Sequence, residues 1–334
     1  HHGRNTLSFY FFCFPKWNCR TQGYVMEKTQ RIICLLLGCI TSLSAQRIPQ
    51  SYFTIPELSS TYLSTVDSLE SRHQNHPNDL QTLENLGDIY GAHYQWDEAL
   101  KVYARLVKKN PENFRFHFKY GGVLGVKSLE VSRIQSIPFV RPMKTSFEKA
   151  AALNTTHIES RWVLMELYEA LPFFLGGSSS KAQQTVEEIE QISPLEGALA
   201  QGFLLAKQNE ITKSKEFYKK AIDWVSQESC SSLSNYLQRN QSYYELGKAL
   251  LFLNQLPEIA ICCFSFFIEN YSSKEGLPLA FAHQRLAQVY DQAGNVKQAI
   301  WHHQKAISQL PSVQNDLREW DGFLDLEIVS FPEN

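Results

Sequence analysis

The chain has 334 residues, with 32 Lys and Arg against 34 Asp and Glu and a formal net charge of -2. There is no basic excess of the kind that binds nucleic acid, and no acidic run of the kind that forms a solvated tail. A hydrophobic share of 43% suits a soluble helical protein.

The front end reads as a targeting segment. Residues 1–25 begin His1-His2 and carry Phe9-Tyr10-Phe11-Phe12-Cys13-Phe14, and are expected to be non-native sequence upstream of the true start at Met26. From Met26, Lys28 and Arg31 precede the apolar stretch Ile32 to Ile40, and Ser42-Leu43-Ser44-Ala45 follows. A basic start, a short apolar core and small residues before a cut are the marks of a secretory signal peptide over 26–45, with Gln46 first in the mature chain. The stretch is short for a membrane-spanning helix. A buried or membrane-lying helix is the bland alternative. Leu36-Leu37-Gly38-Cys39 also resembles a bacterial lipoprotein box, in which Cys39 would be lipidated. The expected location is therefore the periplasm, or the outer membrane as a lipoprotein.

Beyond the leader, one pattern recurs about every 34 residues. From Leu80 it places Leu86-Gly87, Tyr90, Ala99, Tyr103, Leu106 and Pro111. From Ala280 the same offsets give Leu286-Ala287, Tyr290, Ala299, His303, Ala306 and Pro311. The first half of each unit puts Leu, a small residue and an aromatic on one helical face; the second half does so at i, i+4 and i+7. Neither helix can bury its stripe alone, so units must stack. This period and chemistry resemble the tetratricopeptide repeat. The resemblance implies an all-α, right-handed solenoid of about six helix-turn-helix units.

In chain order, Leu58, Tyr62, Val66 and Leu69 make an N-terminal half-repeat within 46–79, closed by Pro77, and the array spans 80–311. The second unit starts near Phe114, with Tyr120-Gly121-Gly122, Phe147 and Ala150, and its hairpin is about ten residues longer, over Gly125 to Pro142. The third starts near His157, with Trp162, Leu164 and Leu167, and its hairpin is stretched by Leu171-Pro172-Phe173-Phe174-Leu175-Gly176-Gly177. The fourth and fifth start near Leu195 and Asn240, and the sixth near Ala280. Leu317, Trp320, Phe323 and Leu324 predict a capping helix and tail over 312–334.

Within the middle units, Phe147-Glu148-Lys149-Ala150, His157-Ile158, Arg161-Trp162, Leu171-Pro172, Gly176-Gly177-Ser178, Lys181-Ala182 and Ile192-Ser193-Pro194 resemble secreted tetratricopeptide proteins of Bacteroidetes-type bacteria. Those carry Leu-Pro-Gly-x-x-Gly-Gly-Ser in this hairpin, whereas here Phe173 stands at the first Gly. The resemblance implies the fold and export, and no activity.

The residues that carry chemistry elsewhere are thinly placed. After Ala45 only Cys230, Cys262 and Cys263 remain, an odd number without metal-ligand spacing. The adjacent pair reads as small apolar filler, with a bridge from Cys230 to one of them as the alternative. His302 and His303 are adjacent and so point in different directions from a helix. No His-Glu-x-x-His or Gly-x-Ser-x-Gly motif occurs. Gly176-Gly177-Ser178-Ser179-Ser180-Lys181 lacks the strand a phosphate loop needs; it reads as a helix stop followed by a Ser cap. No catalytic residue, metal site or cofactor is expected.

Function is therefore expected in the concave face. By offset it carries Glu84 and Asp88, Arg115 and Phe118, Arg161, Met165 and Tyr168, Phe203 and Lys207, Tyr244 and Lys248, and Gln284, Arg285 and Gln288. Aromatic anchors mixed with Arg and Lys suit a peptide or protein partner. Solvated surface and packing between repeats are the bland reading of any single position. Glu84 and Asp88 would repel the carboxylate that chaperone-clamping arrays bind. The expectation is a non-enzymatic interaction scaffold of the bacterial envelope. The alternative is a periplasmic ligand-binding component that carries a small or lipidic molecule for a transporter in a cavity near Trp162. A membrane contact could come from lipidated Cys39 or from the uncleaved N-terminal segment. The loop Pro172, Phe173, Phe174, Gly176 and Gly177, with Ile137-Pro138-Phe139-Val140, either projects to dock a partner or membrane, or folds back into the groove.

Overall fold

A computed structural model describes residues 58–272, 275–314 and 317. The expectations for 1–25, for the leader 26–45 with Cys39, and for Trp320, Phe323 and Leu324 lie outside the described residues.

Thirteen α-helices follow one another among the described residues. They are α1 (Ser60–Asn75), α2 (Leu80–Ala92), α3 (Trp96–Lys109), α4 (Phe114–Glu130), α5 (Arg133–Leu153), α6 (Ile158–Ala170), α7 (Ser179–Ile192), α8 (Pro194–Lys207), α9 (Ile211–Val225), α10 (Asn240–Phe252), α11 (Pro257–Glu269), α12 (Leu279–Gln292) and α13 (Val296–Gln309). Short 3-10 segments sit at Phe173–Leu175 and Cys230–Asn235. After α1, each even-numbered helix pairs with the next odd one, and each pair packs on its neighbour. This is an all-α solenoid of six helix hairpins led by a half-repeat.

One contact recurs inside the hairpins. A Cβ added at Gly87 would lie 2.9 Å from the Tyr103 ring, at Gly121 3.1 Å from Phe147, at Gly202 2.7 Å from Tyr218 and at Gly247 3.0 Å from Phe264. In four of the six hairpins the first helix thus offers a notch that a ring of the second helix fills. In the last unit Ala287 and His303 hold the same places, and both are buried.

The turns inside the hairpins repeat as well. Tyr94, Asn209, Asn254 and Gly294 each adopt positive φ two residues beyond their helix. The following N–H then donates back over the helix end: Gln95 to Tyr90, Glu210 to Leu205, Gln255 to Leu250 and Asn295 to Tyr290, at 2.8 to 3.0 Å. That is the Schellman closure, which satisfies carbonyls a helix end leaves open.

Two hairpins depart from it. The second unit is longer because its helices are longer. α4 and α5 are separated only by Val131 and Ser132, and Ser132 forms a capping box with Gln135. Pro138 and Pro142, expected within the lengthened hairpin over Gly125 to Pro142, lie inside α5. The carbonyls they strand, of Ile134 and Pro138, lie on an exposed side of α5 that water can reach, so the helix continues. In the third unit Gly176 ends the 3-10 segment and not α6, and Ser178 caps α7 by accepting from the Lys181 N–H at 3.3 Å.

Cys230 and Cys262 form a disulfide that fastens the second 3-10 segment to α11, while Cys263 is a buried free thiol. Only Cys263 is therefore the small filler expected of the pair. Among the described residues no helix is long and apolar enough to cross a membrane.

Candidate functional site: the inner face of the array

The even-numbered helices line the inner face. α6, α8, α10 and α12 touch one another in succession as well as their own hairpin partners. This second set of contacts seals positions that repeat offsets alone leave open.

At the N-terminal end the inner face is an ion-pair lattice. Glu84 accepts from Arg115 Nη2 at 2.8 Å and from Lys119 Nζ at 2.7 Å. Lys119 also reaches Asp88 at 2.7 Å, and Asp88 accepts from the Tyr103 hydroxyl at 2.7 Å. Arg115 stays exposed, and Phe118 is half-buried with its ring edge-on to Phe147 and His157.

In the third unit Arg161 is buried. It pairs with Glu188 and donates to the carbonyls of Ala151, Asn154 and His157, so it clamps the end of α5 to α6. Met165 is fully buried. Tyr168 is buried, donates to Glu148 at 2.8 Å, and carries Lys144 and Lys181 against its ring.

Further along, an inner cluster spans three helices. Glu196 on α8 is completely buried and accepts from the Trp162 indole N–H at 3.0 Å and the Ser242 hydroxyl at 2.8 Å. The Arg239 guanidinium lies 4.5 Å from the centre of the Trp162 ring. Burial pushes the Glu196 carboxyl above its ordinary range, and Arg239 opposes that push. Lys248 is 0% exposed, pairs with Glu245 at 2.7 Å and lies over the rings of Phe203 and Tyr244. Phe203, Tyr244, Gln284, Arg285 and Gln288 are also buried, and Lys207 is half-buried beside Phe203.

Of the groove residues expected from the sequence, Asp88, Arg115, Phe118 and Lys207 therefore meet solvent. The structure gathers Phe203, Tyr244 and Lys248 into one contact set, whereas Arg161, Met165 and Tyr168 serve the packing of α5 to α7. Repeat offsets do not single out Glu166 or Glu245. Glu166 keeps part of its surface accessible, yet burial pushes its carboxyl up to about 7, opposed by Arg239, Lys207 and Lys248 and helped by Glu245. Among the described residues no group of three or more His, Cys, Asp or Glu could hold a metal. An open depression of about 650 Å³ lies away from this face, lined by Arg72, Asn75, His76, Pro77, Asn78 and Asp79.

No protein-family model matches the chain. No curated protein matches it. Solved structures do. A tetratricopeptide repeat protein from Parabacteroides merdae is 14% identical over 83% of this chain and 99% of its own, with a TM-score of 0.45. The C-terminal part of a repeat-containing protein from Cytophaga hutchinsonii is 16% identical over 78% of this chain and 94% of its own, with a TM-score of 0.38. YrrB, described as a tetratricopeptide protein with an unusual peptide-binding site, is 14% identical over 65% of this chain and 96% of its own, with a TM-score of 0.30. The paired helices, the Gly-to-ring notch and the recurring turn make this chain a tetratricopeptide-type solenoid.

Proposed function

We propose that the chain is a non-enzymatic interaction scaffold of the bacterial envelope that binds a polypeptide along its inner face. The observation that carries this is the strip left partly accessible there: Phe118 and Lys119 on α4, Glu166 on α6, Lys207 on α8 and Glu245 on α10. It combines an aromatic anchor with side chains of both acidic and basic character.

Export is supported by the leader-like composition of 26–45 and by the Cys230–Cys262 disulfide, which suits an oxidising compartment. Trp162 is sealed by Glu196, Phe203 and Arg239, which favours a polypeptide over a carried small molecule.

Native mass spectrometry of gently purified full chain tests the proposal. A co-purifying polypeptide that is lost in K207E is expected. A bound small molecule, or a polypeptide retained by K207E, would contradict it.

A further inference from the structure

The turn between α6 and α7 is rigid. Leu175 N–H and Gly177 N–H both donate to the Pro172 carbonyl at 2.9 and 3.0 Å, Gly176 N–H to Phe173 at 2.9 Å, and Ser178 N–H to Tyr168 at 2.7 Å. Gly176 sits at φ +91°, and a side chain at Gly177 would run into the Leu171 carbonyl. This fixed backbone nevertheless holds Phe173 at 92% and Phe174 at 77% exposure. A loose loop could fold such rings away; this one cannot.

The surface around the two rings is continuous with α5. Ile134, Ile137, Arg141 and Lys144 are spaced by three, four and three residues, so they share one helical face. Lys144 reaches the turn: a side chain at Gly176 would meet its ammonium, and that ammonium lies 5.9 Å from the Tyr168 ring centre. From there the same face runs outward to Ile137 and Ile134, about 10 and 15 Å away along the helix, and these are 47% and 59% exposed. Arg141 is exposed, and Lys181 at the start of α7 lies 5.4 Å from the same Tyr168 ring centre. Of the nearby acids, Glu148 is engaged by the Tyr168 hydroxyl and by Lys144 at 3.7 Å, and Glu188 pairs with Arg161.

We propose that this edge docks onto an anionic lipid bilayer. Phe173 and Phe174 enter the boundary between headgroups and acyl chains, Ile134 and Ile137 lie beside them, and Arg141, Lys144 and Lys181 meet the lipid phosphates. Side chains that protrude this far from a stiff turn suit a deformable lipid surface; a protein partner would need a matching deep pocket. The cations around them complement an anionic headgroup. None of the inner-strip residues takes part, so this proposal fails or stands apart from the function above.

The test uses the full chain with vesicles of phosphatidylglycerol and phosphatidylethanolamine, and with phosphatidylcholine vesicles as the neutral control. In F174W the added fluorescence shifts to the blue on anionic vesicles and is quenched by brominated acyl chains. F173S/F174S partitions about tenfold more weakly, with an unchanged melting temperature. R141E/K181E loses the preference for anionic over neutral vesicles. An unmoved F174W spectrum would overturn the proposal, as would equal partition of F173S/F174S, which assigns membrane binding to another segment. Sedimentation of a dimer that F173S/F174S dissolves, without an F174W response to lipid, would assign the rings to self-association and overturn it too.

Discussion

His283 on α12 and His302 on α13 face each other through their Nδ1 atoms, 3.0 Å apart, inside the last hairpin. One Nδ1 must donate and the other accept, so the accepting ring is neutral with its proton on Nε2, and protonation of both rings breaks the contact. Burial holds both down to about 4, with Lys305 adding to the effect on His283 and His283 to that on His302. The unfolded chain takes up these protons first, near pH 6.5. Stability is therefore full above about 6.5 and is lost as the pH falls through about 4, by roughly 2–3 kcal/mol. Hydrogen exchange across this range is expected to show α12 and α13 opening before α2 and α3, and H302F to reduce the dependence.

Glu166 acts in the opposite direction. Its native carboxyl holds a proton up to about 7, whereas the unfolded chain releases it near the ordinary Glu value of about 4.3. The native state binds the extra proton, so its contribution is greatest at low pH and is lost as the pH rises through 7. E166Q is expected to be about 1–3 kcal/mol more stable than the parent at pH 8, with the gap narrowing towards pH 5 in denaturant titrations. A constant gap would show that Glu166 is ionised in the native chain throughout.

The Gly-to-ring notch predicts a contrast between neighbours. G202A pushes a methyl into the Tyr218 ring and should cost about 2–3 kcal/mol. G121A meets Phe147 less closely and should cost about 1–2 kcal/mol. G122A, on the same helix with nothing within 4 Å, should stabilise by about 0.5–1 kcal/mol through helix propensity. Thermal melts of the three variants check the order.

Gly294 isolates the turn conformation. It sits at φ +75° with nothing within 4 Å of an added Cβ. G294A is thus expected to cost about 1 kcal/mol by backbone strain alone. A neutral result would mean that the turn relaxes into another form.

The disulfide closes a loop of 32 residues. C230S should lower stability by about 2–4 kcal/mol, and a reductant should do the same to the parent but nothing further to C230S. C263S, at the buried free thiol, should leave the response to reductant intact.

Much of this fold is legible because repeat spacing writes the same contact several times. Leu86-Gly87 and Tyr103, or Leu246-Gly247 and Phe264, declare a small residue and the ring that fills its place. The inner face is less legible because its closure depends on how tightly successive units wind. Lys248 and Arg285 have the composition of a binding groove but are buried by contacts between α8, α10 and α12. The stacking of Arg239 on Trp162 joins residues far apart in the chain, and no periodicity announces it. Pro138 and Pro142 mislead for a local reason, since an exposed helix face tolerates the carbonyls they leave free. Phe173 and Phe174 stood out in the sequence, but only the geometry of the turn shows that they cannot retreat from water.

Site-specific photo-crosslinking in cells tests the inner face most directly. A photoreactive residue replaces Phe118 or Lys207 on the inner helices and, separately, Lys219 on the exposed side of α9. A single polypeptide adduct at positions 118 and 207, absent at 219, is the expected result. Adducts at 219 alone, or equal labelling at all three positions, would contradict a partner held along the inner face.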